Sequence, residues 1–212
     1  MPKLRLAAFV SGGGTNLQAI IDACERGDTG AVVAVVISDK PEAHALERAR
    51  KHGIAAVHVP VPKTGTDGWL EADRRITAVL QEHEVGLICL AGYMRKVGPA
   101  MLDAFRGRIM NIHPALLPAF PGVHVQADQL AYGVKVAGCT VHFADEEFDR
   151  GPIIIQAAVP VHEDDTPDTL AARILEKEHI IYSRAIQWFA EGRLRLDGRI
   201  VRVEGVTSAA VL

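Results

Sequence analysis

The feature that most constrains the fold is an alternation of apolar runs with amphipathic stretches. Residues 4–10 and 31–38 are largely apolar and show no polar alternation, which is typical of strands buried on both faces. Between them, residues 16–26 carry apolar side chains at helical spacing. This order predicts an α/β fold with a doubly wound, mostly parallel sheet.

The same reasoning extends along the rest of the chain. Thr166 and Pro167 give the start signal of a long helix ending near Gly192, and Asp67 is expected to cap another. Asp197 and Gly198 predict a small hairpin. Further helices are predicted at 43–52 and 67–83, and further strands at 55–59, 87–91, 107–112, 136–143 and 152–159. We expect one domain over residues 1–212, with halves 1–98 and 99–212.

Composition excludes several classes of function. The net charge is −3, and no block of lysine and arginine suggests a nucleic-acid surface. No apolar stretch approaches the roughly 20 residues that a membrane span needs. The three cysteines are far apart and show no metal-ligand spacing, so reduced thiols and a cytoplasmic location are expected, with no bound metal.

A glycine-rich loop follows the first predicted strand and opens the first helix. Gly12, Gly13 and Gly14 allow close approach of a ligand to the backbone, and Thr15 and Asn16 add side-chain donors. The loop lacks the Lys-Ser/Thr pair of an ATP-binding loop and the third glycine of a dinucleotide fingerprint. It predicts a phosphate site, and the alternative is a tight turn that binds nothing.

A second group of polar residues follows a later strand. Asn111 and His113 are two positions apart, so in an extended chain they point to the same side. Such donors suit the oxyanion of an acyl transfer, although both could be ordinary loop-capping residues. Asp149 ends an acidic loop, and an apolar strand resumes after Arg150-Gly151-Pro152, so Asp149 is expected near the sheet, where it would raise the pKa of His113. His142 is either part of this site or a buried, hydrogen-bonded histidine.

No serine or cysteine has the surroundings of a covalent nucleophile. There is no Gly-x-Ser-x-Gly motif, and Ser11 lies in the glycine loop without a base placed beside it. An acyl transfer at this site would therefore be direct, with the amine of the substrate attacking. It would need an oxyanion donor, a route for the proton and two adjacent binding pockets.

These motifs carry a resemblance that extends over nearly the whole chain. The chain resembles the folate-dependent phosphoribosylglycinamide formyltransferases. The matching stretches are SGGGTNLQAIIDA, LAGYMR, NIHPALLPAFPG, GVKVAGCTVHF, FDRGPIIIQAAVPV and EKEHIIYSRAIQWFAEGRL. The resemblance implies formyl transfer from 10-formyltetrahydrofolate to glycinamide ribonucleotide in purine synthesis. It also implies the formyltransferase fold, with a Rossmann-like, nucleotide-binding-like half at 1–98 and a catalytic and folate-binding half at 99–212.

The resemblance also implies the roles of individual residues. The catalytic residues it implies are Asn111, His113 and Asp149. Asn111 and a protonated His113 would stabilise the oxyanion, and Asp149 would raise the pKa of His113. The substrate-binding residues it implies are Gly13, Gly14, Thr15, Asn16, Pro114 and Glu178. The folate-binding residues it implies are Met94, Arg95, Lys96, Val97, Asn111, His142 and Asp145.

The sequence departs from the family pattern at three places. Trp69 replaces an arginine near the folate tail, Leu175 replaces a polar or basic residue near the substrate, and residues 124–129 lack a secondary histidine. The partners expected are small molecules, with no nucleic acid and no membrane, and homodimer formation stays open.

Parts of the sequence are also compatible with other activities. A methionyl-tRNA formyltransferase would be expected to carry more chain after residue 212, and a formyltetrahydrofolate deformylase more chain before the first strand. A nucleotide-dependent oxidoreductase would rely on Asp39, and a non-catalytic binding module stays open as well.

Overall fold

The computed structural model describes residues 2–206. The strands are β1 (Leu4–Val10), β2 (Ala31–Ser38), β3 (Ala55–His58), β4 (Leu87–Leu90), β5 (Ile109–His113), β6 (Val136–Phe143), β7 (Ile153–Pro160), β8 (Leu194–Asp197) and β9 (Ile200–Val203). The helices are α1 (Thr15–Arg26), α2 (His44–Lys51), α3 (Asp67–Glu82), α4 (Pro99–Ala104), α5 (Val125–Tyr132) and α6 (Pro167–Ala190).

Seven of these strands form one sheet in the order β3-β2-β1-β4-β5-β6-β7. The predicted α/β fold with a mostly parallel sheet is confirmed. The chain divides into two compact units, the first ending at Met110 and the second beginning at Asn111. The single domain predicted for residues 1–212, with halves meeting at 98/99, stays a prediction.

In the first unit, β1 pairs in parallel with β2 and β4, and β2 pairs in parallel with β3. Leu6, Ala7, Ala8, Phe9 and Val10 are all fully buried, which explains why the sequence of β1 lacks polar alternation. Because the strands are parallel, their carboxyl ends lie at one edge, where the glycine loop leaves β1.

In the second unit, β6 pairs antiparallel with β7, and β8 pairs antiparallel with β9 across the predicted Asp197-Gly198 turn. The predicted start of the long helix is confirmed, because the Thr166 side chain accepts from the amide of Thr169 in a capping box at the start of α6. None of the helices in the described part of the chain is long and apolar enough to cross a membrane.

Three local features differ from the sequence predictions. Thr66, and not Asp67, caps α3, since its hydroxyl accepts from the amide of Trp69. The helices α4 and α5 were not predicted. The first has only six residues, and in the second only Val125 and Gln129 are buried, so neither shows an amphipathic period.

Candidate active site

The glycine loop is held between β1 and α2. Gly14 has a φ of 73°, and a Cβ added there would lie 2.7 Å from the Cβ of Ala45, so the fold itself requires glycine at this position. The amide of Ala45 donates to the Gly12 carbonyl at 3.2 Å. The Nε atom of Arg48 donates to the Gly13 carbonyl at 2.9 Å. The loop is therefore fixed before any ligand arrives.

The other two glycines are not required by packing. Cβ atoms added at Gly12 or Gly13 would meet no atom within 4 Å in the described part of the chain, and both residues are exposed. The helix α1 that follows has no acidic residue in its first turn. The positive end of a helix, with open space above a glycine backbone, is suited to an anion.

The segment predicted to receive the pterin lies beside this loop in the same unit. The amide of Ser11 donates to the Gly92 carbonyl at 3.0 Å, and the amide of Met94 donates to the Ser11 hydroxyl at 2.9 Å. Met94 is 67% exposed, whereas Val97 is buried. The indole of Trp69 donates to the Lys96 carbonyl at 3.4 Å, so this departure from the family pattern fixes the segment backbone.

Asp39 was the residue on which a dinucleotide interpretation would have relied. Its carboxylate is buried and already accepts hydrogen bonds from the Ser11 hydroxyl and the Arg95 guanidinium. An acidic residue that binds ribose must present its carboxylate to the ligand. The geometry at Asp39 therefore does not favour that interpretation.

In the second unit, the three predicted catalytic residues meet. Asn111 and His113 lie on β5 and point to the same side, as their spacing predicted. The Nδ2 atom of Asn111 lies 3.3 Å from Oδ1 of Asp149, and Nδ1 of His113 lies 3.4 Å from Oδ2 of Asp149. The Asp149 carboxylate thus bridges the two side chains of β5.

Backbone geometry explains how Asp149 reaches this position. Its φ is 55°, a left-handed conformation that aspartate tolerates better than most residues. The amide of Gly122 donates to Oδ2 of Asp149 at 2.9 Å. A Cβ at Gly151 would overlap the Phe143 carbonyl, so glycine lets the chain pass close to the end of β6. The sequence Asp149-Arg150-Gly151 therefore allows a backbone path that directs the carboxylate toward Asn111 and His113.

Both ring nitrogens of His113 face hydrogen-bond acceptors. Nε2 lies 2.8 Å from the Phe120 carbonyl, opposite the contact of Nδ1 with Asp149. Burial lowers the pKa of His113 below its usual value of 6.5, and the Phe120 carbonyl and the Asp149 carboxylate offset only part of this effect. We expected Asp149 to raise the pKa of His113 and so keep it protonated to higher pH. The carboxylate does raise this pKa, but burial of the imidazole lowers it by more. The predicted direction of the net pKa shift was therefore wrong.

His142 is a buried histidine that also belongs to the site. Its Nδ1 atom lies 2.9 Å from the Phe143 carbonyl, and its Nε2 atom lies 3.2 Å from Nδ2 of Asn111. Nε2 is also 3.8 Å from Oδ1 of Asp149. The amide group of Asn111 therefore faces both Asp149 and His142. Burial alone would raise the pKa of Asp149, but the contacts with His142, Gly122 and His113 lower it below its usual value.

The loop after His113 is supported by two residues that sequence reasoning missed. The Thr140 hydroxyl donates to the Ala115 carbonyl at 2.6 Å and accepts from the Leu117 amide at 3.0 Å. The Nε2 atom of Gln156 donates to both Leu117 and Thr140 at 2.9 Å. Their signal in the sequence was a polar residue inside each of two apolar strands, which is costly unless it is hydrogen-bonded.

The remaining predicted residues lie at other places in the second unit. The Pro114 carbonyl accepts from Nε2 of Gln129 at 3.4 Å, and Glu178 is buried on α6. Asp145 is exposed, and its Oδ1 atom accepts from the amide of Glu147 at 3.0 Å. Within residues 2–206, no group of three or more histidine, cysteine or acidic residues is arranged to hold a metal ion.

Comparison with known proteins assigns the chain to a family. The model of the formyl transferase family matches residues 4–186. A crystal structure of glycinamide ribonucleotide transformylase 1 from Symbiobacterium toebii superimposes with a TM-score of 0.90 and 52% identity, covering 95% of this chain and 94% of that one.

Two curated relatives agree with the solved structure. The phosphoribosylglycinamide formyltransferase of Haemophilus influenzae is 43% identical, over 95% of this chain and 94% of the relative. The protein of the same name from Escherichia coli is 40% identical, with the same coverage of each chain. The chain described here therefore belongs to the formyl transferase family.

Proposed function

We propose that this protein transfers the formyl group of 10-formyltetrahydrofolate to the amine of 5-phosphoribosylglycinamide, giving N-formylglycinamide ribonucleotide and tetrahydrofolate in purine biosynthesis. The observation that carries the proposal is the convergence of Asn111 and His113 on Asp149 in a chain of this family. The names of the Haemophilus influenzae and Escherichia coli relatives support the amine substrate.

The chemistry requires no covalent intermediate with the protein. The amine nitrogen attacks the formyl carbon, a new C–N bond forms, and the bond between that carbon and the folate nitrogen breaks. The amine loses one proton and the leaving nitrogen gains one. His113, which lies within reach of Asp149, can carry this proton between them.

Asn111 supplies a hydrogen-bond donor to the oxyanion in the proposed mechanism. Its amide group faces Asp149 and His142 in the structure, so one contact must be exchanged when the oxyanion develops. A neutral amide donor held by a carboxylate on a β-strand is already oriented, which limits the reorganisation needed during the reaction.

The two substrates are proposed to use different elements. Gly13, Gly14, Thr15 and Asn16 would bind the phosphate, because this loop leads into the positive end of α1 without an opposing acid. Pro114 and Glu178 are the other residues proposed for the amine substrate. The residues proposed for the folate are 94–97, Asn111, His142 and Asp145. A cytoplasmic location stays a prediction.

The test is an assay of purified protein with both substrates, following the release of tetrahydrofolate. Formylated product that depends on both compounds is expected. Formate released from the folate without the amine would contradict the proposal and indicate hydrolysis instead. Binding of both compounds without turnover would indicate a binding module. Formate with ATP should not replace the folate, since the glycine loop lacks the Lys-Ser/Thr pair of ATP-binding loops.

A further inference from the structure

A buried carboxylate in the first unit lies outside the proposed catalytic residues but contacts both of the ligand-binding segments of that unit. The side chain of Asp39 is 1% exposed. Its Oδ1 atom accepts from the Ser11 hydroxyl at 2.6 Å, and its Oδ2 atom accepts from Nε of Arg95 at 2.8 Å. Ser11 begins the glycine loop and Arg95 belongs to the segment 94–97, so one side chain holds both.

The hydrogen bonds of Ser11 have a fixed direction because a hydroxyl group carries a single hydrogen. That hydrogen is donated to Asp39, so the oxygen can only accept from the amide of Met94, which lies 2.9 Å away. Asp39 thereby orients the hydroxyl toward a residue 83 positions further along the chain. The amide of Ser11 adds a second link to this segment through the Gly92 carbonyl.

Arg95 completes the arrangement. Its Nε atom is committed to Asp39, and the carboxylate neutralises the guanidinium charge, so the ion pair sets the path of the backbone beside Met94. One residue later, the indole of Trp69 donates to the Lys96 carbonyl at 3.4 Å. The segment is therefore held at three consecutive residues, Met94, Arg95 and Lys96.

We propose that Asp39 is a positioning residue that fixes the phosphate loop and the pterin-binding segment relative to each other, so that one buried carboxylate determines the affinity for both substrates. The proposal rests on the proposed function for the identity of the two ligands. Because its side chain is buried, Asp39 acts through Ser11 and Arg95.

The first variant is Asp39→Asn, which keeps the size of the side chain and removes its charge. An amide has one acceptor oxygen and no charge, so it cannot accept from both the Ser11 hydroxyl and the Arg95 guanidinium as the carboxylate does, and the ion pair with Arg95 is lost. We expect the KM of both substrates to rise by roughly tenfold, with a smaller change in kcat. The matched control is Asp103→Asn, because Asp103 is an exposed acid that pairs with Arg106, and both KM values should be unchanged.

A second variant separates positioning from a general loss of stability. Ser11→Ala removes the bridge to Met94 and should raise both KM values in the same direction. The double variant should cost no more than the larger single effect, since the two residues act in one chain of contacts. In the protein without ligands, hydrogen exchange of the Met94 amide should accelerate in both variants, because its acceptor is lost or displaced.

The outcomes separate this proposal from the proposed function. Wild-type protein that transfers no formyl group would refute the function, whereas the exchange measurement would still test the contacts of Asp39. An active wild type with unchanged KM values for both substrates in Ser11→Ala would overturn the positioning role. A lower melting temperature with unchanged KM values in Asp39→Asn would likewise show that Asp39 only supports the fold.

Discussion

Nδ1 of His113 and Oδ2 of Asp149 lie 3.4 Å apart, although the two residues come from a strand and from a loop 36 positions later in the sequence. The carboxylate opposes the effect of burial, which lowers the pKa of the imidazole. Burial and His142 lower the pKa of His113, whereas the Phe120 carbonyl and the Asp149 carboxylate raise it, and Asp149→Asn removes the charge of that carboxylate while keeping its size.

Asp149→Asn should lower the pKa of His113 further below its usual value, because burial remains while the carboxylate charge is lost. If His113 works in its protonated form, kcat should fall by roughly 10²–10³, with smaller changes in KM. An NMR titration of His113 and a kcat–pH profile measure both effects. Glu146→Gln is the matched control, since Glu146 is an exposed acid of the same loop that is assigned no role in binding. An unchanged titration in Asp149→Asn would mean that Asp149 only anchors the loop.

The two asparagines of the chain should separate chemistry from binding. Asn111→Ala removes a donor at the carboxylate bridge and should lower kcat by roughly 10²–10³ with little change in KM. Asn16→Ala, in the first turn of α1, should instead raise the KM of the amine substrate more than that of the folate. Steady-state kinetics with each substrate varied in turn provides the measurement. Equal increases of both KM values in Asn16→Ala would argue against a phosphate role for this loop.

Adjacent glycines of the loop should respond differently to the same substitution. Gly14→Ala should destabilise the protein by about 1–2 kcal/mol or more, since φ is 73° and the new Cβ would crowd Ala45. Gly13→Ala has open space and should keep the melting temperature, but raise the KM of the amine substrate by occupying room above the loop. Thermal unfolding and kinetics together test the pair. A Gly13→Ala variant with normal kinetics would favour a turn that binds nothing.

The stability of the protein should decrease in acid because of His113 and Asp149. The folded-state pKa of His113 lies below 6.5, so the unfolded chain takes up this proton first, and the free energy of unfolding falls as pH drops below about 6.5. The folded-state pKa of Asp149 lies below 3.8, so its contribution is present above that pH and is lost as pH falls through the folded value. Urea unfolding at pH 7.5 and 5.5 measures how much the free energy of unfolding falls in acid. This fall should be smaller in His113→Gln than in wild type. An equal loss in both proteins would place the sensitivity elsewhere.

The features that the sequence predicted are those that depend on the pattern of apolar residues and on local chemistry. The strands β1 and β2 were found at their predicted bounds, because a strand buried on both faces has an unmistakable apolar run. The placement of Asn111 and His113 on one side followed from the period of a strand. The proximity of Asp149 followed from its place at the end of an acidic loop, shortly before β7 begins at Ile153.

The sequence did not predict contacts between residues that are distant from each other along the chain. The position of the Phe120 carbonyl beside His113 depends on the path of a proline-rich loop, and no residue type in the sequence predicts it. The net pKa direction of His113 depends on how completely the ring is buried, which is a property of packing. The link of Asp39 to Ser11 and Arg95 joins three separate segments, so Asp39 was considered only as a ribose ligand.

Thr140 offers a test of how far support of the proline-rich loop matters for catalysis. Thr140→Val keeps the shape of the side chain but leaves the Ala115 carbonyl, the Leu117 amide and Gln156 without their shared partner. Because these groups lie at a buried strand, stability should fall by about 1–3 kcal/mol. The loop also carries the Phe120 carbonyl, so the orientation of His113 should loosen and kcat should fall while both KM values change less.

The matched control is Thr169→Val, at the exposed start of α6, where the hydroxyl of Thr169 bonds within the capping box. It should lower stability by roughly 1 kcal/mol without any change in kcat. Urea unfolding gives the stability of each variant, and kinetics well below the melting temperature gives kcat. If Thr140→Val and Thr169→Val lose stability but keep the same wild-type kcat, then Thr140 supports the fold alone, and His113 is oriented by its direct contacts with Phe120 and Asp149.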